Sequence, residues 1–555
     1  MHYIQTVTTV FTAEHPVQQT EGAEATRTCL TPCPPVARAR STKASWKTAA
    51  LLIVLAVVAR AVVSAFVPLL PDETYYWEWS RHLQAGYFDH PPGIALLIAA
   101  GTAIFGDTML GVRFGPAVAA LVLHASIVVL AGRLGGTRAA IRAAVLGAVL
   151  PFSVLGLALA TPDVALLAAT ALAMVFLERA LSTPLRSRRS LMWWMLTGLA
   201  LGLAFISKFT AVLLPASLVF ACLAYGPLRA RFAEPGPWVA SIIALAVFSP
   251  VVFWNASANW IAFRFQLSHG FGSVARGTPM GREFEMIGGQ LGLATPILGV
   301  LLFLAIIVTV RNEWRLREYS SATSKAGIRF ALAAVALTPF VFFAISAWQR
   351  PIEPNWPALA YAASVVLLAS SRASWANARW WKGGVTLAAV LIVAAVGQTW
   401  KPLAPIAARR DPIARAHGWV ELATAVQRAR NDPFLIGTST RWVAAERYQD
   451  ASELAFHLPD QPTVFSLNLS GRANQYDLWS GARDHLRADD AMVVAFDASA
   501  VGDSLAGVVG GWFTSTQRGE TVQLRREQGV IGERRLWLYR GVRHVPLRSD
   551  VAIRD

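Results

Sequence analysis

Two pairs of ionisable residues follow the first apolar run of the sequence: Asp72 with Glu73, and Asp89 with His90 in front of two prolines. A charged side chain near lipid costs roughly 2.5 to 3.5 kcal/mol on insertion scales, so a carboxylate at this depth needs a compensating role. One such role is that of a general base, which takes a proton from a hydroxyl group. Adjacent helical residues point about 100° apart, so we expect Asp72 rather than Glu73 to be the base.

The same acids also have a structural interpretation. Pro71 suits the first position of a helix, and acidic residues in a first turn are stabilised by the free N–H groups and the helix dipole. Asp89 before Pro91 and Pro92 could cap a helix in the same way. Alternatively, Asp89 and His90 could contact the substrate, and His90 could also carry a proton. Asp163, in the stretch TPDVALL, is a further acid with both interpretations, because it also follows a proline between two apolar runs.

Residues suited to binding a phosphate or a sugar occur in three further loops. Lys208 stands between two apolar runs, where its side chain either extends to the interface or holds a phosphate. Arg264 could place its guanidinium fork on phosphate oxygens. Other polar candidates, each with an ordinary loop role as the alternative, are Gln266, His269, Glu353 and Asn355.

The sequence implies no cofactor with certainty. Asp89, His90 and His269 could meet across loops to hold a divalent metal, but an isolated Asp-His pair is weak evidence for one, and the metal question stays open. No glycine-rich fingerprint for a nucleotide appears in a strand–helix context. The energy for any reaction must therefore come from an activated substrate or a gradient.

The composition indicates a multi-pass membrane protein. Hydrophobic residues make up 54% of the chain and charged residues 15%. We count about eleven apolar stretches long enough to approach the ~20 residues that a spanning helix needs. They are 47–69, 112–132, 141–160, 163–181, 191–207, 209–226, 237–256, 287–310, 328–347, 357–371 and 383–400.

The charge pattern predicts which loops share a side of the membrane. The net charge of +16 is concentrated before residue 400, in loops that alternate regularly with loops poor in Lys and Arg. Cationic loops stay in the cytoplasm and favour anionic lipid headgroups, so the excess reflects topology and not nucleic-acid binding. Asp72, Asp89, Asp163 and everything after residue 400 then fall on the opposite, outer side.

Three regions are expected along the chain. Residues 1–44 are predicted to be a disordered cytoplasmic tail, and 45–400 to be the membrane domain, with one or two helices at the interface over 72–106. Residues 401–555 are predicted to be a soluble α/β domain with helices over 418–430 and 441–457. Its expected strands are PFLIG, TVFSL, AMVVAF, TVQLR and RLWLYR.

Several of these motifs, in their order, carry a family resemblance. PDETYYWEWSRHLQAGYFDHPPGIALL, TPDVALL, ISKFTAVLLP, VFWNASANWIAFRFQLSHGFG and PNWPALAY resemble segments of bacterial GT-C glycosyltransferases of family 39. That group includes protein O-mannosyltransferases and the aminoarabinose transferases that modify lipid A. RYQDASELAFHLP and SGRANQYDLW look like segments of the outer domain of bacterial members.

The resemblance implies a multi-pass enzyme of the bacterial inner membrane, with a GT-C fold of about eleven transmembrane helices and a periplasmic C-terminal domain. Such enzymes take a sugar from a polyprenyl-phosphate carrier and transfer it, with inversion, to a lipid, glycan or protein of the envelope. Their catalytic acids correspond to Asp72, Glu73 and Asp163, and the residues that hold the carrier phosphate to Lys208 and Arg264. The aminoarabinose branch has Lys where this chain has His90, which argues against that sugar.

Two other classes of protein agree less well with the sequence. A transporter or flippase for a lipid-linked saccharide should carry its functional charges near the middle of the membrane, often on broken helices. In this sequence the strongest candidates lie at the ends of the predicted spans, which favours the enzyme. A receptor on a helical anchor would not need so many spans.

Overall fold

The computed structural model describes residues 42–271, 277–321, 323–373, 378–401, 407, 411 and 413–544. Most of the tail expected over 1–44 lies outside these residues. From Lys43 onward the chain forms one compact unit. The helices before residue 401 are α1 Thr42–Phe66, α2 Pro71–Arg81, α3 Gly93–Phe105, α4 Met109–Gly135, α5 Thr137–Val149, α6 Pro151–Val154, α7 Pro162–Leu181, α8 Arg188–Phe205, α9 Leu213–Ala224, α10 Gly226–Arg229, α11 Gly236–Ser257, α12 Ile261–Phe271, α13 Pro279–Ala294, α14 Pro296–Arg315, α15 Lys325–Ala347, α16 Leu359–Ser370 and α17 Ala378–Trp400.

Among the described residues, seven helices are long and apolar enough to cross a membrane, and up to nine if two bent helix pairs each count as one span. The expectation of about eleven spans is therefore not confirmed. Two of the expected spans, 191–207 and 357–371, correspond to α8 and α16, which are not among these helices. A multi-pass helical membrane domain is confirmed.

The expected span 287–310 is divided into two helices, α13 and α14. Thr295 separates them with a φ of 67°, outside the helical region, and Pro296 begins the next helix. The expected span 141–160 also breaks, with a bend of 71° between α5 and the segment after it. Pro151 has no N–H to donate to Gly147, and that carbonyl instead accepts a bond from Ser153 Oγ at 2.7 Å.

The expectation of one or two helices over 72–106 is met by two, α2 and α3. Pro71 takes the first position of α2, and the first turn holds both Asp72 and Glu73. Pro92 immediately precedes α3. Helix α3 packs closely on α4, because a Cβ at Gly101 would lie only 2.1 Å from a backbone oxygen of α4.

The C-terminal domain is a mixed α/β structure, as the sequence predicts. Its sheet has the order β2-β1-β3-β5-β4, with β1 parallel to both β2 and β3 and the other pairs antiparallel. The strands are β1 Arg441–Ala445, β2 Val464–Ser466, β3 Ala491–Asp497, β4 Phe513–Arg526 and β5 Gly529–Val542, and the helices are α18 Trp419–Arg430, α19 Tyr448–His457, α20 Ala482–His485 and α21 Ala500–Gly510.

Two details of the predicted domain are wrong. The stretch PFLIG is not a strand: Pro433–Leu435 forms a 3₁₀ turn, and Asp432 caps it by accepting the Phe434 N–H at 2.8 Å. The helix expected over 441–457 begins only at Tyr448, because Arg441–Ala445 is the central parallel strand β1. The alanine-rich sequence of that strand suits a helix, but its position between β2 and β3 overrides the local preference.

Helix α2 lies between the membrane helices and the C-terminal domain. Thr74 and Ser452 of α19 share a hydrogen bond of 3.1 Å, and Gln475 donates its backbone N–H to the Tyr75 hydroxyl at 2.7 Å. The Trp77 ring packs edge-on against Phe456, with 5.1 Å between ring centroids. The C-terminal domain therefore helps to fix the helix that carries the first acidic pair.

Candidate active site

Asp72 is an exposed carboxylate without a hydrogen bond or ion pair to any residue that the structure describes. The surrounding protein reduces the solvation of its carboxylate and so raises its pKa, and the nearby charges of Asp89 and Glu73 raise the pKa further. Arg415 and Arg472 act in the opposite direction. The carboxylate is therefore open to a ligand and more basic than an ordinary Asp.

Glu73, its neighbour, is fully buried and held on both oxygens. Arg113 of α4 donates Nε to Oε1 at 2.8 Å and Nη2 to Oε2 at 2.5 Å, and the Ala160 N–H donates to Oε1 at 2.9 Å. The other bonds of the guanidinium go to the backbone carbonyls of Ser64, Val67 and Pro68. This ion pair connects the end of α1, α2 and α4, so Glu73 fixes the turn on which Asp72 stands.

A second group of predicted residues meets at Asp163, in the first turn of α7. Lys208 donates Nζ to Oδ1 at 2.7 Å, and Asn355 donates Nδ2 to Oδ2 at 2.8 Å. Both Asp163 and Lys208 are buried. Three residues that the sequence nominated separately, from three distant loops, therefore form one cluster with paired charges.

Asp89 forms the third cluster, which again combines predicted residues. Its Oδ2 accepts the Tyr75 hydroxyl at 2.9 Å, and its Oδ1 accepts Nη1 of Arg472 at 2.9 Å. Gln266 of α12 donates its side-chain amide to the Asp89 backbone carbonyl at 2.7 Å. The buried Asp89 thus connects α2, α12 and the C-terminal domain.

The hydroxyl of Tyr76 on α2 is affected by all three acids, Asp72, Asp89 and Asp163. Burial raises the pKa of its hydroxyl first, and the negative charges of Asp72, Asp89 and Asp163 raise the pKa further. The ring of His90 lies 6.3 Å from the Tyr76 ring, centroid to centroid. Asp72 and Asp163 occupy the same end of the helical bundle, because Ala160, three residues before Asp163, donates its N–H to Glu73, the neighbour of Asp72, at 2.9 Å.

The remaining predicted residues, Arg264, Glu353 and His269, are not joined to these acids by any described side-chain hydrogen bond. Arg264 and Glu353 are exposed, and neither has a side-chain hydrogen bond or ion pair within the described part of the chain. The side chain of His269 lies outside the described residues. Among those that are described, no group of three or more His, Cys, Asp or Glu side chains is arranged to hold a metal ion.

The sequence did not nominate the residues that the C-terminal domain contributes. Arg472 binds Asp89, and Tyr448 packs against Tyr75 at 4.5 Å between ring centroids. The positive charge of Arg415 lowers the pKa of Asp72. Tyr448 lies in RYQDASELAFHLP and Arg472 in SGRANQYDLW. In the sequence, the resemblance of these two segments to a known outer domain is what indicates that they matter for function.

Comparison with known proteins agrees with this architecture. A family model described as dolichyl-phosphate-mannose-protein mannosyltransferase matches residues 89–254. The lipid A galacturonosyltransferase RgtD of Rhizobium johnstonii is 26% identical over 340 residues, which cover 60% of this chain and 66% of that protein, slightly under two thirds of its length.

Solved structures of ArnT from Cupriavidus metallidurans share the fold. The structure bound to undecaprenyl phosphate matches with a TM-score of 0.60 and 17% identity, covering 88% of this chain and 97% of ArnT. The apo structure matches with a TM-score of 0.59, covering 90% and 98%. Together with the family model and RgtD, these matches confirm the resemblance expected from the motifs: the chain has the fold of a GT-C glycosyltransferase like ArnT.

Proposed function

We propose that the chain transfers a sugar from a polyprenyl-phosphate carrier to an acceptor of the bacterial envelope, with Asp72 as the general base. The observation that carries the proposal is the exposed carboxylate of Asp72, which has no partner among the described residues, whereas Asp163 and Asp89 are both paired. Names of similar proteins support the substrates: ArnT was solved with undecaprenyl phosphate, and RgtD acts on lipid A. A lipid A-like acceptor is therefore the first to test.

The proposed reaction is a single displacement. Asp72 takes the proton of the acceptor hydroxyl while that oxygen attacks the anomeric carbon of the donor sugar. The bond from the anomeric carbon to the phosphate oxygen breaks, and its electron pair stays on the polyprenyl phosphate. Because attack and departure occur on opposite sides of the carbon, the product has the inverted configuration.

The leaving phosphate gains negative charge, and two cations are suited to stabilise it. Lys208 is held in one position by Asp163, which removes the cost of ordering its long side chain during the reaction. Arg264 is exposed and has no ion-pair partner among the described residues, so its guanidinium is available to a phosphate. Both would act more strongly on the transition state than on the bound donor.

The location follows from the chemistry of the donor. A polyprenyl tail stays in lipid, so its phosphate must be met at the membrane surface, where α2 and α3 connect two apolar helices. We place this surface on the periplasmic side of the inner membrane, with residues 45–400 as the catalytic membrane domain and 401–555 as a periplasmic domain. The low density of Lys and Arg in the loops of the site supports this orientation.

Reconstituted protein tests the proposal directly. Purified chain in nanodiscs is mixed with undecaprenyl-phosphate-linked hexuronic acid, hexose or aminoarabinose and with lipid A, and products are identified by mass spectrometry. We expect the lipid A mass to increase by one sugar residue with one of these donors. If no donor yields product with lipid A or with total envelope glycolipid, while labelled donor crosses the bilayer of sealed proteoliposomes that contain the protein, the flippase interpretation replaces this one.

Lys208→Met tests the proposed phosphate contact, because Met keeps the length of the side chain and removes its charge. We expect kcat to fall about 100- to 1,000-fold, as when a charge-stabilising group is lost from an active site. If Lys208 served only to neutralise Asp163, the double variant Lys208→Met/Asp163→Asn would regain activity, and we expect it not to. Lys325→Met, at an exposed position at the start of α15, is the matched control and should leave kcat unchanged.

A further inference from the structure

Arg472 of the C-terminal domain reaches the proposed active site and is fixed there from several sides. Its Nη1 donates to Asp89 at 2.9 Å, and its Nη2 lies 3.4 Å from the Tyr448 hydroxyl. The guanidinium carbon stands 5.2 Å from the ring centroid of Phe265 and 5.7 Å from that of Tyr448. An arginine held between a buried acid and two rings has already lost most of its rotational freedom.

Much of the Arg472 guanidinium is nevertheless exposed to solvent. The Arg472 side chain is 48% exposed, whereas the Asp89 side chain that it binds is 9% exposed. A guanidinium has five N–H donors, and the described contacts of Arg472 use only two of them, one at the long distance of 3.4 Å. An interdomain ion pair alone would not need this exposed, ordered surface, which suits a ligand with two or more oxygens.

The C-terminal domain has a second exposed arginine, Arg415. Arg415 lies in the 3₁₀ turn Ala414–Ala416, which precedes α18, and its side chain is exposed. It has no side-chain hydrogen bond or ion pair within the part of the chain that the structure describes. The positive charges of Arg415 and Arg472 both lower the pKa of Asp72. Arg472 is placed beside α2 by its own contacts, because it binds Asp89, which accepts the hydroxyl of Tyr75.

We propose that Arg472, with the exposed Arg415 as a second cation of the C-terminal domain, binds an oxyanion of the substrate, a phosphate or a carboxylate, beside α2 and its Asp72. This inference rests on the proposed function and adds that the C-terminal domain supplies part of the substrate site. The oxyanion belongs either to the donor, as the phosphate of the carrier, or to an acceptor that is itself acidic.

Equilibrium binding separates these two sources. Undecaprenyl phosphate and lipid A are titrated separately into full-length protein in nanodiscs, and Kd is measured for the wild type, Arg472→Ala, Arg472→Lys and Arg415→Ala. Loss of a charge-assisted hydrogen bond should weaken binding of the recognised lipid about 10- to 100-fold. Weaker binding of undecaprenyl phosphate would assign the oxyanion to the donor, and weaker binding of lipid A would assign it to the acceptor.

Arg472→Lys distinguishes ligand binding from a merely structural role. Lysine keeps the positive charge beside Asp89 but lacks the fork, so we expect near-wild-type thermal stability together with weakened lipid binding and a raised KM. A structural ion pair predicts instead that lysine restores both properties. Arg428→Ala, which removes an exposed ion pair with Glu520 on the same domain, is the control and should change neither.

The outcomes also separate this inference from the proposed function. If the wild type binds a lipid and all three variants bind it equally well, the oxyanion site is refuted and the sugar-transfer proposal stands. If the wild type binds neither lipid, the proposed function fails, and this inference fails with it.

Discussion

Asp72→Asn should abolish sugar transfer and leave the folded protein intact. Asn has nearly the same shape but cannot accept a proton, and loss of a general base costs about 100- to 10,000-fold in rate. Because Asp72 is exposed and has no partner among the described residues, its replacement should change the free energy of unfolding by less than about 0.5 kcal/mol. The measurements are initial rates in nanodiscs and thermal unfolding of the same preparation.

The rate should also depend on pH through Asp72. Only the ionised carboxylate accepts a proton, so activity should fall as the pH drops through the pKa of this group. Desolvation and the neighbouring acids raise that pKa above the ordinary Asp value of 3.8, so the decline should begin at a higher pH than for a solvated Asp. Asp460→Asn, at an exposed acid of the C-terminal domain, is the matched control. Wild-type turnover by Asp72→Asn would remove Asp72 from the catalytic role.

Arg113→Ala should produce the largest loss of stability. It leaves the fully buried charge of Glu73 without its partner and leaves the carbonyls of Ser64, Val67 and Pro68 without their donor. Breaking a buried ion pair from one side costs about 3 to 5 kcal/mol. We expect a lower unfolding midpoint in detergent and reduced yield of folded protein.

A double variant shows whether the charge itself is responsible. Arg113→Met/Glu73→Gln removes both charges at similar volume and should recover part of the lost stability, since replacing both members of a buried pair is often close to neutral. Transfer should stay impaired, because the turn that carries Asp72 loses its anchor. Arg428→Ala, at an exposed pair, should cost less than about 1 kcal/mol. An unfolding midpoint for Arg113→Ala equal to that of the wild type would contradict the proposed anchoring role.

The sequence predicted the residues of the site better than their contacts. Asp163, Lys208 and Asn355 could be nominated because each interrupts or ends an apolar run on the same predicted side. That they bind one another could not be predicted, because spacing along the chain does not fix how helices pack. The role of Arg113 could not be predicted, because it stands inside an apolar run. Its partner Glu73 is identified only once the helices are packed.

The fold was predictable in class and less so in detail. Hydropathy located the apolar segments but did not detect that Thr295 ends one helix before Pro296 begins the next. Local preference likewise assigned the strand Arg441–Ala445 to a helix, because the sheet that holds it is completed by residues far along the chain. Arg472 lies 383 residues from Asp89, so only the docking of the C-terminal domain reveals its role.

The position of α2 beneath the C-terminal domain has a consequence for biosynthesis. The residues that cover it, such as Ser452 and Gln475, follow their partners Thr74 and Tyr75 by 378 and 400 residues. At ~5 to 20 residues per second, a ribosome needs on the order of tens of seconds to make that length. During this time the aromatic residues of α2 remain uncovered beside the newly inserted helices. The site is complete only when translation is almost finished.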